Sequence, residues 1–406
     1  MRLLYFILLF PFYLNAQVAA EQPKKGPSGS NYPHQKVKFT QFGDNRFNWY
    51  WQFEPSNPKP DSSEVIFFYH GHTSNTDSTE IVKGMKLFCE HIAKKGYTVI
   101  FPLYQYGNFS KGIPLQKDAD LIKTAIKRLE NDENRVRPKK WANGKYKISI
   151  MGFSLGGGTA INIANKHIEL GLPKFDAIIS FAPANKGSLK GISPDTKVVI
   201  VAGEDDETDG PKAETNAQPI TWSRLSHIPC ENRAFFMAMT DKHGNPPLKA
   251  KHDWCVTGDK FSEKYKINNL DFYGSWKWTV GLFDCTYKNK NCQFVFGDSK
   301  LRTYMGKWDD GTPVKEATIP VECVYTSTSN IKNNSITIHP NPVQETIHFD
   351  SKLMAKSIRI YSITGAQIPV TMHENYINVQ HLNKGIYFGK IYGKGGTIYS
   401  FRFVKS

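Results

Sequence analysis

Along most of the chain, apolar positions recur in two rhythms. Short runs rich in β-branched and aromatic residues occupy 64–69 (EVIFFY), 97–103 (YTVIFPL), 148–151 (ISIM), 176–181 (DAIISF), 197–202 (KVVIVA) and 233–240 (RAFFMAMT). Runs of this length and composition predict buried strands. Between them the spacing changes to three and four. Residues 78–95 carry Ile81, Val82, Met85, Phe88 and Ile92 on one face, with Gly96 as a stop, which predicts one helix. Residues 117–129 repeat the pattern with Leu121, Ile122, Ala125, Ile126 and Leu129, and a third helix follows residue 154 with Ala160, Ile161, Ile163, Ala164 and Ile168. Ahead of all this, Phe47, Trp49, Trp51 and Phe53 alternate with period two within 36–54, predicting one or two opening strands. Strands alternating with helices imply an α/β fold: a mostly parallel sheet with helices on both faces and right-handed crossovers.

After Cys323 the pattern shifts. Residues 324–334 (VYTSTSNIKNN) read as a linker. From 335 to 406 short alternating segments separated by turns predict a small all-β sandwich. Residues 1–16 have a basic Arg2, an apolar 3–14 and a small Ala16, the pattern of an export signal. That apolar stretch is short for a stable membrane span, and no later one is long enough. Residues 22–33, rich in Pro, Gly, Lys and Ser, read as a flexible lead-in to a main domain over 34–323.

The tail carries HPNPV (339–343), IRIYSITG (358–365), INVQHLNKGIYFGKI (377–391) and a terminal FRFVK (401–405). In order and spacing it resembles the C-terminal sorting domain of the type IX secretion system. The resemblance implies an address read by that secretion machinery. It also implies a destination at the cell surface or outside the cell, across both inner and outer membranes.

With 406 residues the chain exceeds one ordinary domain, and 40% hydrophobic residues provide a sizeable core. The net charge of +15 raises nucleic acid as a partner. The lysines, however, are spread along the chain, with no Arg-rich arm or zinc-finger spacing, so no nucleic-acid partner is expected. Weak attraction to anionic surfaces or polysaccharides is the remaining electrostatic reading. Six cysteines in an exported chain suggest disulfides, and Cys285 and Cys292 bracket a short loop; the connectivity of the other four stays open.

The chemistry centres on residues 148–158, ISIMGFSLGGG: a strand, a G-x-S-x-G turn, then a helix. Small residues at Gly152 and Gly156 let such an elbow hold Ser154 clear of the sheet, with helix N–H groups aimed at any anion formed there. A serine hydroxyl needs a base and a charge to orient that base. In elbow proteins these follow in the order Ser, acid, His. The acid is expected after the strand 197–202, where Asp205 and Asp206 are candidates. Asp206 suits a G-x-x-D loop better. The base is expected after the strand 233–240, from His243 or His252. Two backbone N–H groups must hold the oxyanion: Leu155, directly after the serine, and His72, in the His70-Gly71-His72 loop. His70 and His72 alone make a poor metal pair, and no metal or cofactor is expected.

Together, residues 69–72, 152–156, 203–206 and 241–252 resemble a secreted bacterial α/β-hydrolase of the esterase and lipase type. The resemblance extends less specifically to 269–274, the Cys285/Cys292 loop and 305–314. It implies an α/β-hydrolase fold and tips the base toward His252. It also implies hydrolysis of a carboxylic ester substrate by Ser154, His252 and Asp206 through an acyl-enzyme. Phe153, Tyr104, Tyr106 and Trp254 are candidates for an apolar acyl pocket, or else core aromatics. A peptidase or amidase on the same fold, and a surface-binding protein on a hydrolase scaffold, are the alternatives.

Overall fold

The computed structural model describes residues 21–43, 48–73, 78–105, 114–184, 187–208, 217–256, 266–320, 334–350, 355–363, 367–393 and 398–406. The leader 1–16, Tyr106, Cys323 and nearly all of the 324–334 segment lie outside these. The chain forms two compact units, Met1–Val324 and Tyr325–Ser406.

The first unit is built on one sheet. Its elements are β1 (Lys36–Phe42), β2 (Tyr50–Ser56), β3 (Ser62–Ser63), β4 (Val65–Tyr69), α1 (Ser78–Lys83), α2 (Lys86–Lys94), β5 (Thr98–Pro102), α3 (Leu115–Asn131), β6 (Arg137–Pro138), β7 (Ile148–Phe153), α4 (Leu155–Asn165), β8 (Ala177–Phe181), β9 (Lys197–Gly203), α5 (Ala217–Arg224), β10 (Arg233–Ala238) and α6 (Trp276–Lys288). The strand order is β1-β2-β5-β4-β7-β8-β9-β10, while β3 and β6 form a separate short pair. β2 runs antiparallel to both its neighbours, and the six strands β5, β4, β7, β8, β9 and β10 are mutually parallel. This is the α/β-hydrolase architecture.

Strands β4, β5, β7 and β8 are buried at every position. Both faces are therefore covered, and the period-two geometry divides their side chains between two cores. Ile66, Phe68, Val99, Phe101, Met151 and Ile179 face α2 and α6, packing with Phe88, Ile92, Trp278 and Leu282. Val65, Phe67, Ile100, Ile148, Ile150 and Ile178 face α3 and α4, packing with Leu121, Ile122, Ala125, Leu129 and Ile161. The four residues Leu121, Ile122, Ala125 and Leu129 recur at one helical face of α3, all buried.

Two expectations fail locally. The helix expected over 78–95 is two helices, α1 and α2, separated at Gly84 and Met85. Met85 precedes α2 with φ −127° and ψ 1°, outside helical geometry. The lead-in expected to be flexible packs on the domain: within 21–33 the backbone turns on itself and docks on α2. His91, buried in α2, donates from Nε2 to the Pro27 carbonyl at 3.1 Å and accepts the Tyr32 hydroxyl at Nδ1, 3.0 Å. Burial holds its pKa well below the ordinary histidine value, in keeping with this neutral tautomer. Lys95 adds bonds to the carbonyls of Gly26 and Asn31.

Cys285 and Cys292 are joined, closing the turn after α6; Cys230 is also disulfide-bonded, while Cys89 and Cys255 are buried free thiols.

The second unit is all-β. Ile398–Lys405, Gly385–Gly393, Ala355–Ser362 and Gln367–Ile368 pair antiparallel, with Asn334–Ser335 parallel on the edge. Thr346–His348, Tyr376–Asn378 and Met372–His373 form a second antiparallel sheet. Ile347 and Ile377 of the small sheet share one core with Ile360, Ile391, Phe401 and Phe403 of the large one.

Candidate active site

At the C-terminal end of β7 the chain turns sharply into α4. Ser154 sits in the turn with φ 53° and ψ −123°, a left-handed conformation that costs a non-glycine residue roughly 1–3 kcal/mol. Hydrogen bonds hold it there. The Ser154 N–H donates to the Phe181 carbonyl at 2.8 Å, and its carbonyl accepts from Gly158 at 3.0 Å and Ala184 at 3.2 Å. The two elbow glycines are required by close approach. A Cβ on Gly152 would lie 2.3 Å from the Gly156 oxygen, and one on Gly156 would lie 2.1 Å from the His70 oxygen.

The Ser154 hydroxyl lies 2.9 Å from His252 Nε2. His252 Nδ1 in turn lies 3.0 Å from both carboxyl oxygens of Asp206. An ionised carboxylate only accepts, so Nδ1 carries the ring proton and Nε2 accepts from the serine. Asp206 is wholly buried at the end of β9, with the Thr208 N–H donating to Oδ1 at 2.9 Å. Phe153 packs on the His252 ring at 5.0 Å between centroids.

The alternative acid and base face other partners. Asp205 Oδ2 accepts the Thr240 hydroxyl at 2.5 Å, tying β9 to the loop after β10. His243 Nε2 donates to Asp310 at 2.9 Å, beside the Trp308 ring. Of the four candidates, only Asp206 and His252 join the chain of hydrogen bonds from Ser154.

Opposite the elbow runs the loop after β4. His70 is buried, and its Nδ1 donates to the carbonyl of Gly71 at 2.7 Å. Burial lowers its pKa to about 4, so the ring is neutral. Because a peptide is planar and trans, holding the Gly71 carbonyl on one side turns the His72 N–H to the other. Among the described residues, no protein group accepts from the N–H of Gly71 or His72. Leu155 begins α4, so its N–H is one of the unpaired amides at a positive helix end.

A cavity of ≈ 710 Å³ opens over Ser154 and is lined by His70, His72, Ser154 and His252 on its polar side. Ile81, Met85, Phe153 and Val256 form its apolar side, with Gly84 between. Among the described aromatic candidates, Phe153 lines it and Tyr104 and Trp254 do not. Tyr104 is buried, donating its hydroxyl to the His70 carbonyl at 2.8 Å, and Trp254 is packed in the core against Phe181 and Trp278. Ile81, Met85 and Val256 went unrecognised in the sequence because α1, α2 and the 252–256 loop meet only in three dimensions. Among the described residues, no cluster of three or more His, Cys, Asp or Glu side chains is arranged to hold a metal ion, and no helix is long and apolar enough to cross a membrane.

No curated protein matches the chain in sequence. Among solved structures, it is similar to esterase B from Lactobacillus rhamnosis, inhibited by a tributyrin phosphonate. The identity is 11% and the TM-score 0.41, over 63% of this chain and 90% of that one. Residues 337–405 match the family model of the secretion system C-terminal sorting domain. The sheet order places the first unit in the α/β-hydrolase architecture, and the type IX sorting domain at 337–405 marks the chain for export to the cell surface or the medium.

Proposed function

We propose that this protein is a secreted serine hydrolase that cleaves carboxylic esters through an acyl-enzyme. The observation that carries the reading is the hydrogen-bond chain from Ser154 through His252 to the buried Asp206, beginning at a strained elbow that opens on a cavity. Each member has the partner its chemistry needs.

In this reading His252 Nε2 takes the Ser154 proton as Oγ attacks the ester carbonyl carbon. The carbonyl π pair moves to oxygen, and the N–H groups of His72 and Leu155 hold the resulting oxyanion. Asp206 fixes the imidazole and stabilises its positive form. The tetrahedral intermediate then collapses. The bond to the alcohol oxygen breaks, and His252 returns the proton to that oxygen. Water enters and His252 takes one of its protons. Attack on the acyl carbon and a second collapse release the acid and restore the Ser154 hydroxyl. The apolar wall of Ile81, Met85, Phe153 and Val256 favours a hydrocarbon portion of the substrate lying beside the reacting carbonyl.

The test is hydrolysis of short-chain p-nitrophenyl esters by wild type and Ser154→Ala. Activity in the wild type and its loss in a variant with unchanged circular dichroism are expected. Equal rates in the two proteins would overturn the proposal.

A further inference from the structure

The loop carrying His72 is held by two side chains that lie outside the hydrogen-bond chain of Ser154. Both follow β5 directly. The buried Tyr104 donates its hydroxyl to the His70 carbonyl at 2.8 Å. Gln105, wholly buried, turns its amide onto Thr73: Oε1 accepts the Thr73 N–H and Nε2 donates to the Thr73 carbonyl, both at 2.9 Å. The amide thus forms the two-bond pairing that a neighbouring strand would make, at a point where β4 has already ended. The loop is fixed at residue 70 and at residue 73. The two amides between, Gly71 and His72, have no protein acceptor among the described residues.

A backbone segment bonded at both its N–H and its carbonyl by a buried side-chain amide takes its direction in part from that side chain. An oxyanion donor must lie about 2.7–3.1 Å from where the charge develops, not from where the substrate oxygen begins. We infer that Gln105 and Tyr104 are positioning residues for the oxyanion-binding loop, with Gln105 setting the direction of the His72 N–H. The inference rests on the ester-hydrolase reading of Ser154.

The consequence falls on the transition state rather than on substrate binding. Losing an oxyanion donor costs roughly 100- to 1,000-fold, and displacing it about 1 Å costs up to about 100-fold. Gln105→Met keeps the length and volume of the side chain and removes both bonds. It is expected to lower kcat about 10- to 100-fold with KM within about twofold of wild type. Affinity for an alkyl boronic acid, which adds to the serine as a tetrahedral anion, should fall by a similar factor. Tyr104→Phe, a smaller change, should do the same to a lesser extent, and it supplies the test if Gln105→Met does not fold. A merely structural role would lower the melting temperature without this parallel loss of kcat and boronate affinity. The two ideas separate cleanly. A wild type that fails to react with a fluorophosphonate at Ser154 overturns the hydrolase reading. A wild type that reacts, beside a folded Gln105→Met or Tyr104→Phe that keeps wild-type kcat and boronate affinity, overturns the positioning role alone.

Discussion

Asp205 and Asp206 are neighbours in sequence, and exchanging each for asparagine separates them by chemistry. Asp206→Asn preserves size and leaves an oxygen to face His252 Nδ1, but removes the charge. In the folded protein that carboxylate lies 3.0 Å from the ring nitrogen and is wholly buried. Two unit charges about 4 Å apart at an effective dielectric of about 20 interact by about 4 kcal/mol. At about 1.4 kcal/mol per tenfold, losing that stabilisation of the imidazolium lowers the rate about 1,000-fold. Presenting the wrong tautomer of His252 to the serine adds to the loss. Asp205→Asn leaves the His252 pairing intact and weakens the bond from Thr240, worth about 1 kcal/mol of stability, so it should cost little rate. The assay is kcat/KM on p-nitrophenyl butyrate for both variants beside wild type, with folding checked by thermal melts. A well-folded Asp206→Asn within tenfold of wild type, or a larger loss in Asp205→Asn, would exclude Asp206 as the partner of His252.

Three further outcomes follow from buried groups and from the cavity. Asp271, at the start of the segment leading into α6, is buried, and desolvation raises its pKa from 3.8 to about 8. The folded protein then holds this proton while the unfolded chain releases it, so stability falls as pH rises from about 4 to 8 and the loss is complete above that. Asp271→Asn keeps an oxygen for the Asn268 N–H and should therefore raise stability at pH 7.5 and flatten the decline between pH 6 and 8 in urea titrations; lower stability throughout would contradict it. His70 has the opposite sign: its folded pKa is lowered from 6.5 to about 4. Its contribution is fully present above about pH 6.5 and is lost as pH falls toward 4, by about 2 kcal/mol at pH 5. The ring should keep its neutral NMR signature down to pH 5, and an ordinary titration near pH 6.5 would exclude the buried Nδ1 bond. A Cβ on Gly84 would lie 3.5 Å from Val256 Cγ1, with room for more side chain in the cavity. Gly84→Leu should cut kcat/KM on octanoate esters about tenfold relative to acetate esters; an unchanged chain-length profile would place the acyl group elsewhere.

Much of the fold is legible because the sheet is buried on both faces. Strands such as VIFFY and ISIMGF then read as apolar runs, and turns and helices separate them in order. The elbow is legible because close backbone approach at Gly152 and Gly156 leaves only glycine there. What escaped depends on pairing between distant segments. Asp205 and Asp206 differ in which way each side chain leaves the end of β9, and His243 and His252 in how one loop folds back through the pairing of Asp241 with Leu248. Gln105 carries no motif, because its role exists only where β5 ends beside the loop after β4. The lead-in misled for a simple reason. Its composition is that of a solvated linker, yet His91 offers both ring nitrogens to it from the face of α2.

In the proposed reading everything turns on Ser154 being a nucleophile. Reaction of the purified protein with a fluorophosphonate, followed by mass spectrometry of the digested chain, reads that chemistry at the residue itself. One adduct per molecule is expected, on Ser154, lost in His252→Ala and unchanged in His243→Ala. No adduct, or one on another residue, would contradict it.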